Sequence, residues 1–242
     1  MSHTTPDWQY DETKQVGMDY SADAVANEYD TNHSVFRDYD REVESVIDAL
    51  ELNSDSTVLD IGCGTDPYSL RLARHCKQVY AVDVSKSMLS IAHTHAREQK
   101  LSNISFVNAG FLTYQHNGNA LDAVISALAL HHLPDFWKLI ALKRLYAMLK
   151  PGGRFFLVDV VFCFPADDYH NGIKQWLRTM ETVAGSTIMR ENSIHIREEF
   201  STWDWIMRDM LLRAGFEIRD EASPLENVKG YVCVKAERDA IP

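Results

Sequence analysis

The chain has 242 residues, of which 45% are hydrophobic and 24% are charged, and its formal net charge is −11. This length and composition are typical of one globular domain and exclude a disordered or collagen-like chain. The acidic excess, without any cluster of Lys and Arg, argues against a protein that captures nucleic acid through its phosphates.

The N-terminal region, residues 1–52, begins with a polar segment that shows no periodicity. From Arg41 onwards, apolar side chains recur at the i, i+3, i+4, i+7 spacing of one helix face, at Val43, Val46, Ile47 and Leu50. The polar sequence NSDS breaks this pattern, so the helix is predicted to end near Leu52.

Residues 53–163 alternate short β-branched runs with helical segments. The predicted strands have the sequences TVLDIG, QVYAVDV, ISFVNA, LDAVISALAL and RFFLVDVVF. Strands that alternate with helices in this way predict βαβ units and a parallel sheet. The sequence PGG at residues 151–153 ends the helix before the fifth strand.

The C-terminal part of the chain changes character after the fifth strand. Residues 164–200 lack strand signals and predict an inserted helical cap. Residues 201–242 then predict the helix STWDWIMRDMLLRAG and the two strands FEIRDEASP and GYVCVKAE. The loop between these strands is too short for a crossover helix, so the strands are expected to pair antiparallel.

The first strand runs into a glycine-rich turn, in the sequence VLDIGCGTDPYSL at residues 58–70. Such a turn places backbone N–H groups and a helix N-terminus at the carboxyl edge of the sheet, where ligands bind. Asp83 ends the second strand and can accept hydrogen bonds from a ribose. Pro67 replaces the third glycine of the dinucleotide fingerprint, and no P-loop lysine follows. A ligand without phosphate therefore fits better than NAD, although an NAD-dependent oxidoreductase stays an alternative.

These motifs resemble those of the class I S-adenosylmethionine-dependent methyltransferases. The similar segments, in family order, are LDIGCG, AVDVSKSML, FVNAGFLTY, ISALALHHLPDFWK and MLKPGGRFFLVD. The resemblance implies a doubly wound α/β fold with a mostly parallel seven-stranded sheet of order 3-2-1-4-5-7-6, whose last strand is antiparallel. It also implies a single methyltransferase domain, in which residues 1–52 form a helical lid over the core of residues 53–163.

The same resemblance implies that the cofactor is S-adenosylmethionine and the product S-adenosylhomocysteine. The residues expected to bind it are Tyr29, Asp60, Gly62, Cys63, Gly64, Asp83, Val84, Met88, Gly110, Phe111, Ser126 and Ala127. Among these, Asp60 is expected at the methionine end, Asp83 at the ribose and Met88 against the adenine.

Two positions depart from the family pattern. Asp66 stands where a third glycine is frequent, and Gly110 stands where many members have an acid that contacts the adenine amino group. Asp66 is interpreted as the N-cap of the next helix, with Pro67 at position N1, while a ligand contact of Asp66 stays open. The glycine at 110 leaves adenine recognition to backbone groups.

His131 and His132 follow the fourth strand, close to where the methyl group would be passed. Either imidazole could act as a general base, or one could serve structural packing. Methyl transfer needs mainly an aligned nucleophile, because a sulfonium is already electrophilic. We therefore expect in-line transfer to a small-molecule acceptor without a metal. The alternatives are an RNA or protein methyltransferase and a non-catalytic S-adenosylmethionine-binding protein.

The composition of the chain also indicates its cellular location and its binding partners. The four cysteines are widely spaced and the N-terminal sequence is polar and acidic, so we expect reduced thiols and a cytoplasmic protein without a signal peptide. No membrane or nucleic-acid partner is expected, and the protein should be a monomer or a homodimer.

Overall fold

A computed structural model describes residues 6–14, 16–17 and 37–236. Its helices are α1 (Tyr39–Leu50), α2 (Ser69–Leu72), α3 (Lys86–Glu98), α4 (Asp135–Met148), α5 (Tyr169–Glu198) and α6 (Asp204–Ala214). Its strands are β1 (Thr57–Ile61), β2 (Gln78–Asp83), β3 (Ile104–Asn108), β4 (Leu121–Ala127), β5 (Leu149–Phe162), β6 (Thr202–Trp203), β7 (Phe216–Leu225) and β8 (Val228–Lys235). Short 3₁₀ helices cover Leu130–His132 and Ala166–Asp168.

The strands of the described residues form one sheet with the order β3-β2-β1-β4-β5-β8-β7, and β6 pairs with β5 beside this path. The first five strands pair in parallel, whereas β8 runs antiparallel between β5 and β7. The predicted order is confirmed, because the sixth and seventh predicted strands are β7 and β8. The additional strand β6 has only two residues, too few to show a strand periodicity in the sequence.

The central strands are buried on both faces, which explains why they appear in the sequence as continuous apolar runs. One face of the sheet packs against α4 and α6 through residues such as Leu142, Leu145 and Leu211. The opposite face packs against α1 and α2 through Val46 and Leu72. Helices on both faces leave the carboxyl ends of the parallel strands as the place where a ligand can enter.

Helix α1 confirms the predicted amphipathic pattern, although it begins and ends two residues earlier than predicted. Asp38 caps its first turn by accepting a hydrogen bond from the Arg41 amide at 3.1 Å. Glu51 ends it in the left-handed conformation, with a φ of 53°. Val43, Val46 and Leu50 are buried against the sheet.

Helix α5 supplies the helical structure expected of residues 164–200. It consists of two helical pieces that meet at Gly185, whose φ of 85° lies outside the helical region. Trp176, Met180 and Ile188 of α5 are buried against Val160 of β5. The helix therefore lies over the carboxyl end of β5, where it can close a cavity. The division of the chain into lid, core and cap stays a prediction.

Among the described residues, no helix combines the length and the apolar character needed to cross a bilayer.

Candidate functional site

The glycine-rich turn lies at the carboxyl end of β1 and is held against β2. The amides of Gly62 and Cys63 donate to the Val82 carbonyl oxygen at 2.8 and 3.1 Å. Gly62 has a φ of 75°, and a Cβ at this position would overlap the side chain of Ala129. Glycine is therefore required here by both backbone conformation and space.

Asp66 closes this turn and does not cap α2, so the N-cap prediction is wrong. Its φ is 78°, and its amide donates to the Cys63 carbonyl oxygen at 3.0 Å. An N-cap residue needs an extended backbone, which this left-handed conformation excludes. Helix α2 instead begins at Ser69, and Tyr68 occupies the N-cap position without a side-chain cap. Pro67 therefore precedes the helix. The Asp66 side chain is fully buried.

Asp83 ends β2 and faces the glycine turn. Its Oδ2 accepts a hydrogen bond from the Gly64 amide at 2.9 Å, and its Oδ1 accepts one from the Ser85 amide at 2.7 Å. These bonds orient the carboxylate across the turn. Burial nevertheless raises the pKa of Asp83, because it disfavours the charged form more than the backbone amides of Ser85, Gly64 and Val84 stabilise it.

Asp60, near the end of β1, is a second carboxyl group beside the turn, and it is buried. Its Oδ2 accepts a hydrogen bond from the Ser69 hydroxyl at 2.8 Å. Burial, together with the nearby charge of Asp83, raises the pKa of Asp60 to about 7. Among the described residues, no Lys or Arg forms an ion pair with either carboxyl group. The two neighbouring acids therefore favour a positively charged ligand, because such a ligand would stabilise their ionised forms.

These groups line a cavity along the carboxyl ends of β1, β2 and β4, called the edge cavity below. It brings together ten of the predicted cofactor residues: Asp60, Gly62, Cys63, Gly64, Asp83, Val84, Met88, Gly110, Phe111 and Ala127. Ser126 is buried in β4 and does not line the cavity, and Tyr29 lies outside the described residues. His132 lines the edge cavity as well.

Glu12, from the N-terminal segment of residues 6–14, also lines the edge cavity. Its carboxylate accepts hydrogen bonds from the amides of Leu112 and Thr113 at 2.9 and 2.8 Å, and from the Thr113 hydroxyl at 2.7 Å. A Cβ on Gly110 would lie 2.5 Å from its Oε2. Burial raises the pKa of Glu12. No motif near residue 12 indicates this contact, because its partners lie about 100 residues further along the chain.

A second cavity of about 500 Å³, called the cap cavity below, lies between α1, α5 and the strands β5, β8 and β7. Its walls are largely apolar and include Val46, Phe156, Trp176, Ile188 and Val232. Arg37, Tyr68 and Leu128 line both cavities, so the two meet there.

The junction of the cavities contains a half-buried ion pair. Arg37 donates from Nη2 and Nε to the two carboxylate oxygens of Glu42, at 2.6 and 3.1 Å. The Tyr68 hydroxyl donates to the same carboxylate at 2.9 Å. The Arg37 guanidinium also lies over the Tyr39 ring, 4.6 Å from its centre. A bidentate pair of this kind is rigid, so the junction has a defined shape.

A cluster of histidines and carboxylates lies beside this junction. His131 Nδ1 lies 2.5 Å from Asp159 Oδ1, and His131 Nε2 lies 3.3 Å from Glu199 Oε2. The same Glu199 oxygen lies 2.5 Å from His195 Nδ1, and His195 Nε2 lies 2.7 Å from the Ser201 hydroxyl. The sequence indicates only His131 and its neighbour His132, whereas the fold brings the other members to them.

The two predicted histidines differ in charge and in surroundings. Burial alone would lower the pKa of His131, but the charges of Asp159 and Glu199 outweigh burial and raise this pKa to about 9. Burial and the charge of His131 lower the pKa of His132 to about 4. At neutral pH, His131 is therefore a hydrogen-bond donor in the cap cavity, and His132 is a neutral imidazole in the edge cavity.

Comparisons with known proteins agree on one family. Residues 58–153 match a family model described as a methyltransferase domain. An uncharacterized methyltransferase from Bacillus licheniformis is 32% identical over 174 residues, which cover 69% of this chain and 78% of the relative. A demethylmenaquinone methyltransferase from Oceanobacillus iheyensis is 24% identical over 219 residues, which cover 85% of this chain and 89% of the relative. For the demethylmenaquinone methyltransferase of Geobacillus sp. (strain WCH70), 26% identical, the match covers 59% of this chain and 62% of that relative.

A solved S-adenosylmethionine-dependent methyltransferase from Clostridium acetobutylicum has the same architecture. It superposes with a TM-score of 0.66 and covers 88% of this chain and 98% of its own length. The sequence identity is 16%, so this likeness supports the fold alone.

The raised pKa of Asp60 predicts a pH-dependent stability. The folded carboxyl group holds its proton up to about pH 7, whereas the unfolded one releases it near 3.8. The contribution of the Asp60 carboxyl group to the free energy of unfolding is therefore fully present at low pH, and it is lost as the pH rises through 7. Between about pH 4 and about pH 8, wild-type protein should lose up to about 4 kcal/mol of unfolding free energy relative to Asp60→Asn.

Urea denaturation of both proteins over this pH range measures the difference. Asp55→Asn, which removes an exposed carboxylate, is the matched control and should show no such trend. If the difference in unfolding free energy between wild type and Asp60→Asn does not vary with pH, the raised pKa of Asp60 is contradicted.

Proposed function

Because the chain belongs to the class I S-adenosylmethionine-dependent methyltransferase family, we propose that it methylates a small molecule bound in the cap cavity, with the cofactor in the edge cavity. The observation that carries this proposal is that the two cavities meet at Arg37, Tyr68 and Leu128. Displacement at a sulfonium requires the donor and the acceptor to approach in line, and two joined cavities can hold them in that way.

The edge cavity suits S-adenosylmethionine in charge and in polar groups. We assign Asp60 and the backbone of Gly62 and Gly64 to the amino-acid end of the cofactor, and Asp83 to the ribose. Lys14 and Arg37 also line the edge cavity, but among the described residues no Lys or Arg forms an ion pair with Asp60 or Asp83, and the cofactor carries positive charge. When bound, it supplies a methyl group on a sulfonium and leaves as S-adenosylhomocysteine.

We assign the adenine to the other end of the edge cavity, beside Met88, Phe111 and Glu12. Position 110 has no acidic side chain, but the Glu12 carboxylate lies directly against Gly110. We propose that Glu12 supplies the acid at this end and holds the loop after β3 closed over the adenine.

The cap cavity suits an apolar acceptor of limited size. Its walls are mainly aliphatic and aromatic, and its volume of about 500 Å³ is in the range of small-molecule sites. The relatives named demethylmenaquinone methyltransferases make a demethylmenaquinone-like quinol the first acceptor to test. The net charge of −11 disfavours RNA, the alternative acceptor.

We propose that His131 and His132 contact the acceptor where the cavities meet. The pKa of about 9 at His131 means that this imidazole does not take up a proton at neutral pH. Its role is therefore to position the acceptor, and alignment supplies the rate.

We also propose a cytoplasmic location, because Cys63, Cys76, Cys163 and Cys233 are free thiols, as a reducing compartment maintains them. The expectation of a monomer or homodimer stays a prediction.

The proposed function predicts transfer of label from S-adenosylmethionine to an apolar metabolite. Purified protein is incubated with methyl-labelled cofactor and either a cell metabolite extract or a demethylmenaquinone analogue, and the labelled species are identified by mass spectrometry. Label in a small molecule is the expected result. Label that stays in the cofactor, or that enters only RNA or protein, would contradict the proposal.

Asp83→Ala should weaken S-adenosylmethionine binding by about 1.5–3 kcal/mol, or about 10–150-fold, because hydrogen bonds to a charged group are lost. Isothermal titration calorimetry measures the change. Asp220→Ala removes an exposed carboxylate that lines only the cap cavity, and it should leave this affinity unchanged. Equal affinities for both variants would place the ribose elsewhere.

Glu12→Gln should weaken S-adenosylmethionine binding about tenfold, because a neutral amide holds the three donors of Leu112 and Thr113 less strongly. The same titration measures it, with Glu44→Gln, an exposed position of α1, as the control. An unchanged affinity would remove Glu12 from the cofactor site.

A further inference from the structure

We propose that His131, His132 and Glu199 bind a divalent metal ion of the zinc class beside the junction of the two cavities. Each residue offers one ligand atom, and the three atoms lie within 4.8 Å of one another. Imidazole nitrogen and carboxylate oxygen are the ligands that zinc takes together in proteins. This inference departs from the sequence-based expectation of a reaction without a metal.

The distance between two of the ligand atoms matches a metal site. His131 Nε2 and Glu199 Oε2 are 3.3 Å apart. Ligands about 2.0–2.1 Å from zinc, at tetrahedral angles, lie roughly 3.3–3.4 Å from each other. One ion can therefore bind both atoms without a change in their separation.

The groups around the ligands have the arrangement found behind metal-binding histidines. Asp159 Oδ1 accepts a hydrogen bond from His131 Nδ1 at 2.5 Å, which selects the tautomer whose Nε2 can face an ion. On the other side, His195 Nδ1 lies 2.5 Å from the Glu199 carboxylate, and Ser201 holds the far nitrogen of His195 at 2.7 Å. Each of these two ligands thus has its own orienting partner.

The ligands reach the site from separate parts of the fold. His131 and His132 belong to the 3₁₀ helix after β4, whereas Glu199 directly follows α5. The Phe200 amide donates to the His131 carbonyl oxygen at 2.9 Å, which joins the two segments next to the site. The buried carboxylates of Asp159 and Glu199 together carry the two negative charges that a divalent cation would balance.

The proposed ion could be reached from both cavities. His131 and Glu199 line the cap cavity and His132 lines the edge cavity, so an ion held by all three would have its fourth coordination position next to the space where substrate is proposed to bind. Three protein ligands with one open position are typical of metal sites that bind substrate. If the proposed function is correct, the ion would bind a hydroxyl or carbonyl oxygen of the acceptor.

Cobalt(II) is a suitable probe, because its visible absorption reports tetrahedral nitrogen and oxygen ligands. Full-length protein is freed of metal with a chelator, dialysed and titrated with cobalt(II), and zinc is then added in competition. We expect one cobalt ion per chain, displaced by zinc, with the release of a proton. His132→Gln and Glu199→Gln should weaken binding at least tenfold, and Asp159→Asn about 10–100-fold.

His75→Ala is the matched control, because it removes an exposed histidine away from the cluster and should leave the titration unchanged. Circular dichroism of each variant establishes that it is folded, and Glu199→Gln, which keeps the shape of the side chain, tests the site if a histidine variant does not fold. Absence of cobalt binding in wild type, or equal binding by wild type and Glu199→Gln, would overturn the proposal. His131 would then serve only as the protonated hydrogen-bond donor between Asp159 and Glu199 that is described above.

The metal titration and the labelling experiment test the metal site and the proposed function separately. A protein that methylates a small molecule but binds no cobalt would contradict only the metal site. A protein that binds cobalt through these residues but transfers no label would contradict the proposed function and leave the metal site standing.

Discussion

Parallel pairing of β1 with β2 and β4 is the constraint on which the rest of the site depends. It brings the carboxyl ends of these strands to one edge of the sheet, where Asp60, Asp83 and Ala127 line a single cavity. The glycine turn can lie against the segment after β4 only because Gly62 has no Cβ that would overlap Ala129, and the Asp83 carboxylate accepts a hydrogen bond from the Gly64 amide. The edge cavity is thus a consequence of strand direction and of one missing side chain.

The pKa values of the acids in the two cavities are shifted in opposite directions. At the edge cavity, burial raises the pKa of Asp60 and Asp83, and no described Lys or Arg forms an ion pair with either of them. Beside the cap cavity, imidazoles lie against Asp159 and Glu199 and lower the pKa of both carboxyl groups. Asp60 and Asp83 therefore suit a cationic ligand. The negative charges of Asp159 and Glu199 are instead balanced by protonated imidazole or, as we propose, by a metal ion.

The elements outside the sheet close both cavities. Helix α5 forms a wall of the cap cavity and leads into Glu199, and α1 with Arg37 shapes the junction. The N-terminal segment contacts the loop after β3 through Glu12 and stacks Trp8 on Trp137 of α4, with ring centres 6.4 Å apart. Under the proposed function, the substrate would contact surfaces from three parts of the chain, and the methyl donor would contact mainly the sheet edge.

The sequence alone was sufficient for the family, the strand order and most of the edge cavity, because strand periodicity, the glycine turn and Asp83 are local signals whose spacing the βαβ unit determines. The N-cap predicted for Asp66 was wrong, since a side-chain preference did not reveal the left-handed backbone that closes the turn. Only the tertiary structure placed Glu12 against Gly110 and Glu199 against His131, and it joined the two cavities at Arg37. These partners lie far apart along the chain, where no periodicity or motif connects them, and only the packing of the helices on the sheet decides which of them meet.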